Sequence, residues 1–226
     1  TVSDIEDIDV YVDGVLQDDP YNIIYAGAGT ISTDGTSDRD IIIGNNQSET
    51  LKGFDDDDII FGGNGSDVIY GHQGNDEIHG GGWADTIFGD GASGSTYGGN
   101  DAIYGDGGDD TINAGIGDDV VYGGDGHDVI KGNEGEDIIY GGAGADTIFG
   151  DTTFNDGLNY NDTLYGEDGN DTINGLGGDD NIYGGAGNDF LKGQDGQDYF
   201  EGGTGADNIQ GGNGDDTLLG GDDNDK

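Results

Sequence analysis

The chain has 226 residues, and 50 acidic against 5 basic side chains give it a formal net charge of -45 at pH 7. So acidic a surface repels phosphate groups and argues against nucleic acid as a partner. The chain has no cysteine and three histidines, which excludes disulfides and leaves too few soft ligands for zinc, copper or iron sites.

The first predicted elements lie in residues 1–27, which lack the repeat that fills the rest of the chain. The stretches IDVYV and NIIY are strand-like, because they are rich in β-branched and aromatic residues. We expect this amino-terminal segment to cap the first coil of the repeat region, residues 28–226, or to link it to a preceding domain.

Twenty copies of a nine-residue unit run from Gly35 to Lys226, and the sixth position of every copy is acidic. Two positions later, each complete copy carries one bulky apolar residue, from Ile42 to Leu218. One apolar residue in nine cannot form a helix face, which needs one every three or four positions. The spacing fits a three-residue strand with its middle side chain inward, followed by a six-residue turn.

Two such units would form one coil of eighteen residues, with odd and even copies building two facing parallel sheets. Short-period repeats of this kind are typical of stacked solenoids. The sequence therefore predicts an all-β, parallel solenoid of about ten coils, with two nonapeptides in each coil.

Composition taken alone predicts a disordered, acidic, low-complexity chain. Nineteen apolar side chains at the eighth position contribute too little to offset the entropy of ordering 226 residues. Repulsion among the carboxylates opposes folding further. We therefore expect the metal-free chain to be disordered and the folded chain to bind cations.

The turns indicate which cation this is. Glycines at the first, second and fourth positions allow backbone carbonyls to turn toward a common centre, and the sixth residue adds a carboxylate oxygen. An all-oxygen site on a flexible backbone suits calcium better than magnesium, which requires strict octahedral geometry. The predicted cofactor is Ca2+.

Six copies match every fixed loop position of GGxGxD, among them GGNGSDVIY (residues 62–70) and GGAGADTIF (residues 141–149). With the apolar residue two positions on, residues 35–226 resemble the RTX, or hemolysin-type, calcium-binding nonapeptide repeat. The resemblance implies a right-handed parallel β-roll. In such a roll, Ca2+ lies between turns stacked on the same edge and is bound by loop carbonyls and the sixth-position Asp of both turns.

By this resemblance, the carboxylate ligands are the sixth-position aspartates Asp58, Asp67, Asp76, Asp85, Asp101, Asp110, Asp119, Asp128, Asp137, Asp146, Asp162, Asp171, Asp180, Asp189, Asp198, Asp207 and Asp216. The predicted carbonyl ligands belong to four loops: Gly62, Gly63, Asn64 and Gly65; Gly123, Gly124, Asp125 and Gly126; Gly141, Gly142, Ala143 and Gly144; Gly184, Gly185, Ala186 and Gly187.

Twenty copies allow at most about eighteen such sites. Other residues replace the fourth-position glycine in several copies, among them Asp38, Gln47, Asp56, Trp83 and Tyr160. In addition, Glu49 is one methylene longer than the Asp of the other copies. We expect weaker or missing sites near the amino end.

A longer period of 61 residues overlies the nonapeptide, near residues 28–88, 89–149 and 150–210. It contains a seven-residue insertion before Asp101 and another before Asp162. Because six nonapeptides make three whole coils, both insertions should emerge from the same edge as longer loops.

Tyrosines occupy the outward-pointing ninth position of the odd copies: Tyr104, Tyr122, Tyr140, Tyr165 and Tyr183. Consecutive rungs would place them about 4.8 Å apart. We interpret them as an aromatic ladder that stabilises the sheet. The alternative is a face that binds sugars or another protein.

Catalytic motifs such as HExxH, GxSxG and a phosphate-binding lysine loop do not occur. The sequence therefore predicts a non-enzymatic calcium-binding module that acts as a rigid spacer or stabilising domain. The alternatives are a polysaccharide- or cell-surface-binding module, and the accessory domain of a secreted enzyme such as a protease, lipase or epimerase.

No apolar run is long enough for a signal peptide or a membrane span. The chain begins without Met and stops within a repeat, so we expect neighbouring domains in a larger protein. RTX proteins are typically exported by bacterial type I secretion and fold outside the cell, where calcium is plentiful. The resemblance thus implies a secreted or cell-surface bacterial protein whose secretion signal lies beyond Lys226.

Overall fold

The computed structural model describes residues 11–12, 15–16, 21–27, 29, 32–91, 97–151 and 160–226. Most of both insertions, and part of the stretch IDVYV, lie outside the described residues. All regular structure within the described ranges is β, and they contain no helix that could cross a membrane.

Two parallel sheets contain nearly all of the strands, and successive strands alternate between them. The ten-stranded sheet consists of β4 (Ser32–Asp34), β6 (Thr50–Phe54), β8 (Val68–His72), β10 (Thr86–Phe88), β12 (Thr111–Ile116), β14 (Val129–Glu134), β16 (Thr147–Phe149), β18 (Thr172–Gly177), β20 (Phe190–Asp195) and β22 (Asn208–Asn213). The eleven-stranded sheet consists of β3 (Asn22–Tyr25), β5 (Asp40–Ile43), β7 (Ile59–Asn64), β9 (Glu77–Gly82), β11 (Ala102–Gly107), β13 (Val120–Asp125), β15 (Ile138–Ala143), β17 (Thr163–Asp168), β19 (Asn181–Ala186), β21 (Tyr199–Thr204) and β23 (Thr217–Asp222). Since each strand pairs with the next but one, the chain forms a parallel β-solenoid of about ten turns, as the repeat predicts.

The register confirms two nonapeptides per coil. Ile112 pairs with Ile130, eighteen residues further along the chain. Across the first insertion the same type of pair joins Ile87 to Ile112, twenty-five residues apart. The seven inserted residues therefore leave the stacking of the repeats unchanged.

Most strands are six residues long rather than the three that the repeat spacing predicts. Pairing of β13 with β15 continues past Tyr122 and Tyr140 to Gly124 with Gly142 and Asp125 with Ala143. The first three positions of each copy thus extend the preceding strand, and the turn shrinks to the remaining three. The short strands β10 and β16 stand directly before the insertions, where the main chain leaves the ladder.

The core is one column of apolar side chains between the sheets, as predicted. The eighth-position residues from Ile42 to Ile209 are between 0% and 9% exposed, whereas Leu218 on the terminal strand β23 is 46% exposed. Each of these side chains is covered by neighbours in adjacent copies, so no copy has a core of its own.

The stretch NIIY forms β3, which pairs with β5 in the register of the repeat, so that Ile24 lies opposite Ile42. Ile24 packs against the core column. Near the chain start, β1 (Tyr11–Val12) and β2 (Val15–Leu16) form an antiparallel pair. The division of the chain at residue 27 remains a prediction.

The tyrosine ladder has the predicted spacing. Ring centroids of Tyr104, Tyr122, Tyr140, Tyr165 and Tyr183 are separated by 5.1, 4.8, 4.8 and 4.7 Å, with nearly parallel planes. The ladder extends further than the tyrosines, because His79 stacks on Tyr104 and Phe61 stacks on His79.

Candidate metal centre

Two rows of acidic side chains follow the turns of the solenoid, because the sixth position occurs twice in each coil. The first edge carries Asp40, Asp58, Asp76, Asp101, Asp119, Asp137, Asp162, Asp180, Asp198 and Asp216. The second edge carries Glu49, Asp67, Asp85, Asp110, Asp128, Asp146, Asp171, Asp189, Asp207 and Asp225. Both insertions precede residues of the first edge, as predicted.

One oxygen of each carboxylate links successive coils. The backbone N–H of a sixth-position residue donates to Oδ1 of the next carboxylate in its row, at 2.7 to 3.1 Å. For example, Oδ1 of Asp128 accepts the N–H of Asp110 at 2.8 Å. Hydrogen bonds to a charged acceptor are among the stronger ones, so this contact aligns the turns along each row.

The other oxygen, Oδ2, is buried without a hydrogen-bond partner in sixteen of the seventeen predicted aspartate ligands, from Asp58 to Asp207. These sixteen residues are between 0% and 3% exposed. A buried charged oxygen without a partner destabilises the fold. The Oδ2 atoms therefore mark positions where a bound cation would be strongly stabilising.

Backbone oxygens lie close to the same positions. A Cβ on Gly123 would collide with Oδ2 of Asp128 and with the carbonyl oxygen of Gly141 in the next loop of the row, so both oxygens border one small space. Gly124 and Gly126 have φ values of 109° and 152°, in the region that favours glycine. The loop thus has the backbone conformation that its glycines predict.

All four predicted carbonyl loops lie on the second edge. Those of residues 123–126 and 141–144 are stacked directly on one another, and the N–H of Gly126 donates to the carbonyl oxygen of Ala143 at 2.8 Å. The carbonyl oxygens of third-position residues therefore already accept hydrogen bonds that hold the loops in their stack. A carbonyl oxygen has a second lone pair, which leaves it able to accept a cation as well.

Burial raises the pKa of the row carboxyls from Asp58 to Asp198 above their usual range. The pKa rises to about 6 for Asp128 and to about 7 for Asp110 on the second edge. On the first edge it rises to about 9 for Asp137 and to about 10 for Asp101. In each case burial is the largest cause, and repulsion from neighbouring carboxylates adds to it. A cation in the row would offset both effects, because its positive charge favours the ionised carboxylates.

The donor set fits calcium. No cluster of three or more His, Cys, Asp or Glu side chains in the described ranges is placed to hold a metal ion. A site in either row must therefore combine carboxylate oxygens with backbone carbonyls. Six to eight oxygens of these two kinds, on flexible loops, are what Ca2+ prefers.

The first two copies differ from the others, because their carboxylates already have local partners. The N–H of Thr36 donates to Oδ2 of Asp40, and the N–H of Asn45 donates to Oε2 of Glu49. Neither carboxylate has the buried, unpartnered oxygen found in the later copies. This difference supports the expectation of weaker or missing sites near the amino end.

Sequence reasoning missed two groups of residues beside the rows. Polar side chains at the fifth position form a second ladder, in which His127 N–H donates to Asp109 Oδ1 and Ala145 N–H donates to His127 Nδ1. In addition, Asp90 and Asp151, at the insertions, are only 4% and 3% exposed. The first group is visible in the sequence as a frequent Asn or Asp before the acidic residue.

The fold and its edges define a class of protein: a parallel β-solenoid with two acidic rows suited to hard cations. The family model of the RTX calcium-binding nonapeptide repeat (4 copies) matches residues 34–69, 61–93, 95–130, 122–152, 156–191 and 192–226. The chain therefore belongs to this family, whose repeat is a structural calcium-binding unit rather than a catalytic fold. No curated protein matches the chain.

Proposed function

We propose that this chain is a non-enzymatic module that folds when it binds calcium and then serves as a rigid spacer or stabilising domain. The observation that carries the proposal is the set of sixteen buried Oδ2 atoms without partners, from Asp58 to Asp207. At neutral pH these atoms belong to a chain with a formal charge of -45. Calcium neutralises this charge where it is most costly.

Binding between stacked turns makes folding cooperative. Each coil contacts only its neighbours, and each proposed ion uses ligands from two turns of the same row, so one bound ion favours the next. Each filled site contributes about 2.7 kcal/mol when calcium is a hundredfold above its dissociation constant. Many sites, up to about eighteen by the number of copies, are enough to decide whether the chain is folded.

We further propose that the module acts outside a bacterial cell. The RTX family is typical of secreted bacterial proteins. A calcium requirement would keep the chain unfolded in the calcium-poor cytoplasm, and would allow it to pass a type I secretion channel before it folds. The structured module would then support neighbouring domains of a larger chain.

The ladder geometry supports a stabilising role for the tyrosines over a glycan-binding one. Sugars bind aromatic rings through the ring faces, and here each face within the ladder is covered by the next ring at 4.7 to 5.1 Å. Only ring edges and hydroxyl groups point to solvent, so we assign the ladder to sheet stability.

The first test is a calcium titration of the metal-stripped chain, followed by circular dichroism, with magnesium as the control. We expect little β signal without metal, a steep rise with calcium, and no comparable rise with magnesium. Equilibrium dialysis of the folded chain then gives the number of bound ions.

A chain that is fully folded at neutral pH without metal, or that responds equally to magnesium, would contradict the proposal. In that case another source of charge neutralisation would have to explain the buried carboxylates.

A further inference from the structure

The only tryptophan of the chain, Trp83, occupies a position where most copies of the repeat have glycine. It is the fourth residue of its copy, on the second edge. The loops stacked on either side have Gly65 and Gly108 there, with φ values of 125° and 141°. Trp83 itself has a φ of 87°, which is a strained conformation for a bulky side chain. The loop therefore carries this tryptophan despite the backbone preference of its position.

The indole of Trp83 belongs neither to the core nor to the aromatic ladder. The residue is 70% exposed, and its ring stacks on no other ring among the described residues. The tyrosine rings of the ladder, in contrast, cover one another. Because neither burial nor stacking offsets the strain at Trp83, an exposed tryptophan at this position indicates contact with a ligand rather than a contribution to stability.

The surface beside Trp83 is polar but uncharged. Three successive loops of the second edge form this surface, which we call the neutral patch: residues 45–48, 63–66 and 81–84. Besides Trp83 it contains three asparagines, one glutamine and two serines, and no acidic or basic residue. The acidic residues that end these loops are only 1% to 3% exposed. Charged side chains return in the next loop, with Asp106 and Asp109.

Hydrogen bonds between coils hold polar groups of the neutral patch in place. Nδ2 of Asn64 donates to Oδ1 of Asn46 at 2.8 Å, and the N–H of Ser66 donates to Oγ of Ser48 at 3.1 Å. All four residues are exposed. Each amide has more donors and acceptors than this contact uses, so the patch can form hydrogen bonds with a ligand.

Gln47 lies in the same column as Trp83, because it is also the fourth residue of its copy. The two residues are two coils apart, a distance of about 10 Å along the solenoid. Gly65 stands between them and has no side chain. An exposed indole and an exposed amide therefore border one open stretch of the second edge.

We propose that Trp83 and the neutral patch form a binding site for a neutral oligosaccharide. The apolar face of a sugar ring packs on the indole, and the sugar hydroxyls form hydrogen bonds with the amides and serines. The formal charge of -45 disfavours an acidic glycan. A protein partner would need further apolar residues around the tryptophan, and the three loops contain no other large apolar side chain.

The test measures tryptophan fluorescence of the folded full-length protein in saturating calcium, because the signal of a single tryptophan reports on Trp83 alone. The probes are cellohexaose, maltohexaose and chitohexaose, with hexagalacturonate as the acidic glycan. Isothermal titration calorimetry gives the affinities, and circular dichroism of the same samples reports folding separately.

Four variants are compared with the wild type. Trp83→Gly restores the glycine of the repeat, so it removes the indole without straining the loop. Trp83→Phe keeps an aromatic ring, and Gln47→Ala removes one amide. The control is Tyr97→Ala, which removes an aromatic ring of similar exposure, 68%, beside the first edge.

We expect at least one neutral hexasaccharide to change the fluorescence of the wild type and of Tyr97→Ala, and hexagalacturonate to leave it unchanged. Trp83→Gly should bind this sugar at least about tenfold more weakly, with its folding in calcium intact. Trp83→Phe should lose less affinity than Trp83→Gly, and Gln47→Ala should bind more weakly than the wild type.

The inference would be overturned if none of the neutral glycans bound at about 10 mM, or if Trp83→Gly bound as tightly as the wild type. Preferential binding of hexagalacturonate would also contradict it. Self-association that depends on Trp83, without glycan binding, would assign the neutral patch to a protein contact instead. None of these outcomes bears on calcium-driven folding, which circular dichroism tests independently.

Discussion

The two oxygens of each sixth-position aspartate have different tasks. In Asp137, Oδ1 accepts the N–H of Asp119 at 2.9 Å, while Oδ2 is buried without a partner. The first contact holds the coils in register whether or not a cation is present. The second oxygen destabilises the metal-free fold and becomes favourable only beside a cation.

We therefore expect Asp137→Asn to have opposite effects with and without calcium. Burial raises the pKa of Asp137 to about 9, so at neutral pH the metal-free fold must either protonate this carboxyl or bury its charge, and an asparagine removes that cost. In saturating calcium the variant lacks one ligand, and we expect a loss of about 2.7 kcal/mol, the contribution of one well-filled site. Urea unfolding of both forms gives the two changes in stability.

The matched control is Glu201→Gln, which neutralises an exposed carboxylate outside both acidic rows. This control should change the free energy of unfolding by no more than about 0.5 kcal/mol, both for the metal-free form and for the calcium-bound form. If Asp137→Asn destabilised both forms equally, the unpartnered oxygen would have no special relation to calcium.

At the scale of strands and turns, each nonapeptide is incomplete without its neighbours. A copy supplies one core residue, such as Val121, one outward residue, such as Tyr122, and one acidic turn. The core residues, the outward residues and the acidic turns each form a column across the coils. The column of outward aromatic side chains contains no predicted metal ligand. Stacked rings add to the stability that the strands gain from their hydrogen bonds.

We expect Tyr140→Ala to destabilise the calcium-bound fold by about 1 to 2 kcal/mol, because it interrupts stacking with Tyr122 and Tyr165 at 4.8 Å on either side. The number of bound calcium ions should not change. Thermal unfolding with a parallel dialysis measurement checks both statements.

Tyr25→Ala is the control, because Tyr25 is 52% exposed and its ring stacks on no other ring among the described residues. A Tyr122→Ala, Tyr140→Ala protein with unchanged stability but lost glycan binding would favour the binding-face alternative instead.

For the whole molecule, stability depends on the balance between protons, calcium and fifty acidic side chains. Few of these charges are offset by ion pairs, since the chain has only five basic residues. The two edges concentrate the charge in buried rows. Any agent that neutralises the rows should therefore promote folding, whether it is a proton or a calcium ion.

We expect the metal-free chain to gain β structure on acidification. Burial raises the folded-state pKa values to between about 6, as for Asp128, and about 10, as for Asp101, above the usual value of about 4. The folded form therefore binds more protons than the unfolded form in this window. Metal-free stability should be greatest below about pH 4 and should fall as the pH rises through the raised values. Circular dichroism in metal-stripped buffer from pH 3 to 8 tests this.

Protons and calcium neutralise the same carboxylates of the folded chain, and the unfolded carboxyls are ionised at both pH values, so the calcium concentration at half-folding should be lower at pH 6 than at pH 8. Sodium chloride at equal ionic strength controls for screening of the surface charge. A midpoint independent of pH would show that the row carboxyls are already ionised in the metal-free fold.

The repeat spacing alone predicted the two sheets, the core column from Ile42 to Ile209, the acidic rows and the tyrosine ladder. This was possible because a solenoid places each residue beside its equivalent eighteen positions away, so that sequence period and spatial contact coincide. The identity of the calcium ligands, and their number, stays a prediction of the repeat and of the family.

Only the tertiary structure decided features that depend on which atoms of separate coils meet. The strands extend to six residues because backbone pairing between coils continues into the turn, which no single copy reveals. The ladder includes Phe61 and His79 because stacking depends on ring position in the column rather than on residue type. Asp90 turned inward because the insertion removes the main chain from the ladder, and its side chain takes the place of the carbonyl that is lost.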